Sequence, residues 1–224
     1  MDIDKDFILV FANGNVEDAR WVEPYLAKAT AVIAADGGVR HLLALGHLPD
    51  VLIGDLDSLP EGVEEVMGAW ETVIIRYPPD KNETDLELAM LYAAEKYPRH
   101  NILVAGGFGG RLDHTLANIL LLAHPALLTR AVFFLDGVES VRLLVGEGTI
   151  NGQPGDIVSL LPLGGAAHIE ETSGLRWPLQ DEILSLGPAR GVSNEMTAAQ
   201  ATVRLRNGLL WCFHISGQAK IDPT

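Results

Sequence analysis

Apolar runs of four to six residues alternate with helix-competent segments through the first 135 positions. Phe7 to Ala12 is such a run and ends at the turn residues Asn13-Gly14-Asn15. A helical segment over Val16 to Lys28 leads to a second run, Thr30 to Ala35, which stops at Asp36-Gly37-Gly38. The short helical turn from Val39 to Leu45 has Gly46 as its C-cap, and Pro49-Asp50 precedes a third run, Val51 to Gly54. That run ends in Asp55-Leu56-Asp57-Ser58. Strands that are apolar throughout belong to parallel sheets covered on both faces. The carboxylates of Asp36, Asp55 and Asp57 are therefore expected along one carboxyl edge of one sheet, where open α/β sheets hold ligands.

The alternation continues. Pro60 suits the first turn of a helix reaching about Ala69, and Thr72 to Ile75 is the next strand, ended by Pro78-Pro79. Thr84 with Glu87 forms a capping box, and Leu86, Ala89, Met90 and Ala93 mark the apolar face of the helix it opens. Asp85 lies in that helix's first turn, where a carboxylate suits the dipole. Ile102 to Ala105 runs into Gly106-Gly107-Phe108-Gly109-Gly110, then Arg111 to His114 and a helix to about Ala123. Ala131 to Leu135 closes a parallel α/β pattern.

From about Ser140 short runs are separated by Gly, Pro and Asn, which predicts an all-β half, a small sandwich or barrel. Asn207-Gly208, between Thr202 to Arg206 and Leu209 to Ile215, predicts a two-residue hairpin. The boundary between the halves is expected near Asp136 to Glu139, giving domains 1–137 and 138–224.

Composition narrows the chemistry. With 224 residues, 48% of them hydrophobic and 21% charged, the chain has material for a sizeable core. A net charge of −14 argues against nonspecific nucleic-acid binding, but a divalent metal can still join acidic side chains to a nucleotide's phosphates. One cysteine, Cys212, forms no internal disulfide and is expected to be packing. Met1 to Asp6 lacks the basic and apolar regions of a signal peptide. The apolar window from Leu116 to Leu135 is broken by Asn118, His124, Pro125 and Arg130. A soluble, cytoplasmic protein with no membrane or nucleic-acid partner is expected.

Acidic pairs at strand ends are often turn formers. Here, however, Asp36, Asp80, Asp85 and Asp113 join Asp55 and Asp57, each after a predicted strand or at the start of the next helix. Carboxylates gathered on one edge repel one another without a cation, and Mg²⁺ suits an all-oxygen site that shares phosphate ligands. The glycine run 106–110 reads either as a tight turn or as a phosphate cradle at a helix N-terminus, and Arg111 as an anion fork favours the cradle. It completes neither a P-loop nor G-x-G-x-x-G. The seven histidines show no metal-ligand spacing, and the absence of G-x-S-x-G argues against a serine hydrolase. Trp177 by default is a core aromatic, and Ser193-Asn194 a turn.

Taken in order, DGG (36–38), PD (49–50), GDLDS (54–58), DKNETDLELA (80–89), GGFGGRLDHTLAN (106–118), TSGLRWPL (172–179) and VSNE (192–195) resemble thiamine pyrophosphokinases across both halves. The resemblance implies a Rossmann-like parallel α/β domain followed by a β-sandwich, in a homodimer with composite active sites. It implies transfer of the pyrophosphoryl group of ATP to the hydroxyl of thiamine, giving thiamine diphosphate and AMP. Asp55, Asp57, Asp85 and Asp113 would hold Mg²⁺ and orient the reacting groups. Asp36, Gly37, Gly109, Gly110 and Arg111 would hold ATP, and Trp177, Ser193 and Asn194 would hold thiamine. Three rivals remain open: a pyrophosphokinase for a pterin alcohol, a D-x-D phosphatase, and a noncatalytic thiamine-binding protein. The D-x-D phosphatases carry their motif after the first strand, not the third. The intact acidic set argues against a binder alone.

Overall fold

The computed structural model describes residues 6–57, 59, 62, 67–68 and 70–217. Two compact units divide the chain at Gly137 and Val138. In the first unit, β1 (Phe7–Phe11), β2 (Ala31–Ala35), β3 (Val51–Gly54), β4 (Val73–Arg76), β5 (Asn101–Ala105) and β6 (Val132–Asp136) form a parallel sheet. Its order is β6-β5-β1-β2-β3-β4. The chain builds outward from β1 to β4, then returns to the other side of β1 with β5. A crevice opens where the direction reverses, at the carboxyl ends of β1 and β5.

β1 is buried at all five positions, as a strand covered on both faces must be. Helix α1 (Glu23–Leu26) is a single turn, preceded by a 3₁₀ turn over Ala19–Val22. The longer helix expected from Val16 to Lys28 is absent because Pro24 has no N–H to donate and its ring blocks continuation from the preceding turn. Helix α2 (Val39–Ala44) ends as expected, with Gly46 at φ +70° and the His47 N–H donating to the Leu42 carbonyl. Helix α3 (Asp85–Lys96) is capped by Thr84, whose Oγ1 accepts from the Glu87 N–H at 3.1 Å. It buries Leu86, Ala89, Met90, Ala93 and Ala94 against β1, β2, β3 and β5. Helix α4 (Leu112–Leu120) follows the glycine run. The helix expected from Pro60 to Ala69 lies for the most part outside the described residues.

The second unit is strand-rich: β7 (Glu139–Leu144), β8 (Glu147–Asn151), β9 (Ile157–Ser173), β10 (Gln180–Leu184), β11 (Asn194–Glu195) and β12 (Gln200–Ile215). The hairpin expected at Asn207-Gly208 does not form; both residues lie inside β12, a continuous strand of 16 residues. A two-residue type I′ turn needs positive φ at both central positions. Only Gly208 has it, at +89°, and Asn207 stays paired with His168 of β9. The register shifts on either side make the pair a bulge that bends the strand. The early half of β12 thus pairs with β8 and the late half with β7, while β9 follows it on the other side. Two long bent strands give this unit a shared core that includes Val158, Ile169, Val203 and Leu210. Cys212 belongs to it, and burial pushes its thiol up to about 11, as a packing cysteine requires. No helix among the described residues is long and apolar enough to cross a membrane.

Candidate active site

The crevice in the first unit is a cleft of about 540 Å³. Its walls are the turn after β1 (Asn13, Gly14, Asn15), Asp36 after β2, Asp55 after β3, the stretch leading into α3, and the glycine run after β5. Each comes from the carboxyl end of a parallel strand, so the sheet itself delivers them to one place. Gly14 ties two of these walls together. Its N–H donates to the Gly106 carbonyl at 2.8 Å, and its own carbonyl accepts from Arg40 and from His41 Nε2, both at 2.9 Å. Burial lowers the His41 pKa and keeps the ring neutral, with its proton on Nε2 to serve that carbonyl. Asn118 of α4 donates to the Gly107 carbonyl at 2.8 Å and so braces the glycine run from below.

Asp36, Asp55 and Asp57 form the acidic centre, with one carboxylate oxygen of each within 4.8 Å of the others. The Asp55 charge, and after it partial desolvation and the Asp36 charge, raise the Asp57 pKa. An all-carboxylate cluster is a donor set suited to a hard divalent cation such as Mg²⁺. Asp85 lines the same cleft, where Lys81 Nζ lies 3.0 Å from its Oδ1. That contact is an ion pair; the oxygen makes no hydrogen bond of good geometry.

Asp113 is placed differently. It stands at the start of α4, outside the cluster and the cleft wall, and Arg111 Nη2 grips it at 2.6 Å. The hydrogen bond from Arg111 lowers its pKa to about 2. Arg111 itself lines the cleft, beside Gly109 and Gly110. Gly37 is buried behind Asp36 and does not line the cleft. Asn13, Asn15, Lys81 and Asn118 were not singled out from sequence. Their signal was position, in the turns after the first and fourth strands for Asn13, Asn15 and Lys81 and in the helix after the fifth for Asn118, which is informative only once strand order is known.

The second unit brings Trp177, Ser193 and Asn194 together in a pocket of about 240 Å³, with Arg190 and Val192 as further walls. Trp177 is half exposed, unlike a core aromatic. The Arg176 guanidinium covers its ring at 5.0 Å and is itself held by Glu195 at 2.9 Å. Ser193 takes a left-handed conformation, φ +58°, and its N–H donates to Ser159 Oγ. Asn194 is buried, and its amide is largely committed to the backbone. Oδ1 accepts from the N–H groups of Trp177 and Glu195, and Nδ2 donates to the Trp177 carbonyl. Its role in the structure is thus to clamp the tryptophan. Asn194→Ala strands these backbone groups and is expected to cost about 1–3 kcal/mol of stability. Urea unfolding followed by far-UV circular dichroism measures the loss.

Residues 22–134 match the family model described as "Thiamin pyrophosphokinase, catalytic domain", and residues 148–210 match "Thiamin pyrophosphokinase, vitamin B1 binding domain". The thiamine pyrophosphokinase of Bacillus subtilis (strain 168) is 29% identical over 188 residues, covering 83% of this chain and 87% of its own length. Thiamine pyrophosphokinase 2 of Arabidopsis thaliana is 31% identical over 180 residues, covering 75% of this chain and 66% of its own length. The crystal structure of the Bacillus subtilis thiamine pyrophosphokinase superposes with a TM-score of 0.84 at 27% identity, over 94% of this chain and 99% of that one. Yeast thiamin pyrophosphokinase, at 20% identity and a TM-score of 0.79, shares the fold.

Proposed function

The chain belongs to the thiamine pyrophosphokinase family, and from that membership we propose how its own residues carry the reaction. The enzyme transfers the pyrophosphoryl group of ATP to the hydroxyl of thiamine, giving thiamine diphosphate and AMP. The observation that carries the residue assignment is a three-carboxylate cluster of which Asp36 and Asp55 line one crevice together with the glycine run, at the reversal of strand order.

ATP lies along that crevice, with its phosphates over the backbone of Gly109 and Gly110 and near Arg111, which exchanges Asp113 for a phosphate. Asp36, Asp55 and Asp57 would hold Mg²⁺, with Asp85 on the cleft that Asp36 and Asp55 line. Asp113 enters the metal set only if Arg111 releases it. The bound metal supplies neutralisation of phosphate charge. The chain's remaining work is positional, because an in-line transfer depends on aligning the alcohol with the phosphorus more than on a covalent nucleophile. The thiamine hydroxyl oxygen forms a bond to the β-phosphorus as the bridge to the α-phosphate breaks. AMP leaves, and a cleft carboxylate accepts the hydroxyl proton.

Thiamine docks through Trp177, whose half-exposed ring suits a cationic heteroaromatic ring. Ser193 offers its hydroxyl, while Asn194 acts by holding the tryptophan. The working enzyme is a cytoplasmic homodimer with composite sites. Supporting the dimer, α4 exposes Leu112, Leu116 and Leu120 at helical spacing, an apolar stripe of the kind a partner covers. The product analysis is direct: AMP and thiamine diphosphate are expected as the initial products. ADP with thiamine monophosphate would mean attack at the γ-phosphorus, and conversion of a pterin alcohol instead of thiamine would reassign the substrate.

A further inference from the structure

The segments that deliver the three carboxylates share an unusual backbone. Asp36 has φ +44° and Leu56, between Asp55 and Asp57, has φ +65°. Left-handed backbone is costly for side chains other than glycine, and such residues persist where their surroundings enforce them. Five non-glycine residues among those described have positive φ, and two of them lie in this one cluster. The strand ends also approach more closely than side chains normally allow. A Cβ on Gly54 would lie 2.9 Å from the Asp36 Cβ and 3.1 Å from its Cα. Leu56 is only 5% exposed, so it is buried between Asp55, which lines the cleft, and the exposed Asp57, whose N–H folds back to Asp55 Oδ1 at 3.3 Å.

We propose that Gly54 and Leu56 are positioning residues that shape Asp36, Asp55 and Asp57 into one divalent-cation site, Gly54 by letting the β2 and β3 ends meet and Leu56 by holding the left-handed turn between the two acids. The inference rests on the metal reading of the cluster and adds what makes the cluster converge. An unstrained chain after β3 would carry Asp55 and Asp57 forward along the strand direction. The left-handed turn at Leu56 gathers them instead, and the buried leucine anchors the turn. With a methyl group at position 54, Asp36 would be displaced from both.

The test is Mn²⁺ binding to the full-length, nucleotide-free protein, followed by electron paramagnetic resonance, with thermal unfolding of the metal-free protein alongside. Gly54→Ala is expected to weaken Mn²⁺ at least tenfold, and its close approach to Asp36 should also lower the unfolding midpoint. Leu56→Ala and Leu56→Asn both remove the buried side chain, but asparagine tolerates left-handed backbone far better than alanine. Leu56→Asn should therefore bind Mn²⁺ at least threefold more tightly than Leu56→Ala; equal losses would mean Leu56 matters only as core. If Gly54→Ala does not fold, the Leu56 pair decides the proposal. Wild-type-like binding in both Gly54→Ala and Leu56→Ala, alongside lost binding in Asp57→Asn, overturns this proposal and leaves the metal reading standing. No Mn²⁺ binding by the wild type overturns both.

Discussion

Asparagine in place of Asp57 should lower turnover by about 10²–10³-fold, the usual consequence of removing one preorganised electrostatic group. The substitution keeps size and shape, so the fold should survive it. In fact the metal-free variant should be no less stable than the wild type, for a reason visible in the cluster. Asp55, partial desolvation and Asp36 raise the Asp57 pKa in the folded state, so the folded chain disfavours the charged form. A carboxylate raised on folding opposes folding once it ionises. The penalty is absent below the unfolded pKa and develops as pH rises through the folded value. Asparagine carries no such penalty at any pH. Mg²⁺ reverses the balance, because a ligand that binds only the folded state raises its stability. Thermal unfolding with and without Mg²⁺ should thus show a metal-dependent rise for the wild type and little or none for Asp57→Asn. Near-normal turnover of the variant at limiting Mg²⁺ would remove Asp57 from the site.

Trp177→Ala should be nearly as damaging, and in a different kinetic constant. Loss of an aromatic face for a cationic ring is worth about 2 kcal/mol when the pair is desolvated, so kcat/KM for thiamine should fall about thirtyfold or more. The KM for ATP should not move, because every described wall of the cleft proposed for ATP belongs to the first unit. Mixing Trp177→Ala with Asp57→Asn then tests the composite-site proposal. In a mixed dimer one site carries both defects and the other carries neither. Random exchange makes mixed dimers about half of the population, so activity about one quarter of wild type is expected. Demonstrated hetero-dimers as inactive as their parents would place each whole site within one chain.

Much of this was written locally. Phe7–Phe11, Ala31–Ala35 and Val51–Gly54 are legible as buried parallel strands because each is apolar without alternation. The cap at Thr84 and the face of α3 follow from side-chain chemistry within one helical turn. The acids after β2 and β3 had to share an edge once those strands were parallel. Asp113 shows the limit: its position at the start of α4 was readable, but its tie to Arg111 and its distance from the cluster were not.

Strand order was decided by the tertiary structure. β1 lies between β5 and β2, and only that arrangement brings the Asn13–Asn15 turn against the glycine run. No local pattern encodes it, because parallel neighbours pair across long stretches of chain. The same holds for β12, where the φ preference of Asn207-Gly208 favoured a turn and lost to continuous pairing with β9. Asn194 likewise read as a turn residue, yet it closes hydrogen bonds to Trp177, 17 residues away. The sequence by itself determined the elements, their caps and the acids at the strand ends, since these depend on interactions within a few residues. Which elements became neighbours, and so which of those acids met, depended on burying the whole set of apolar faces at once.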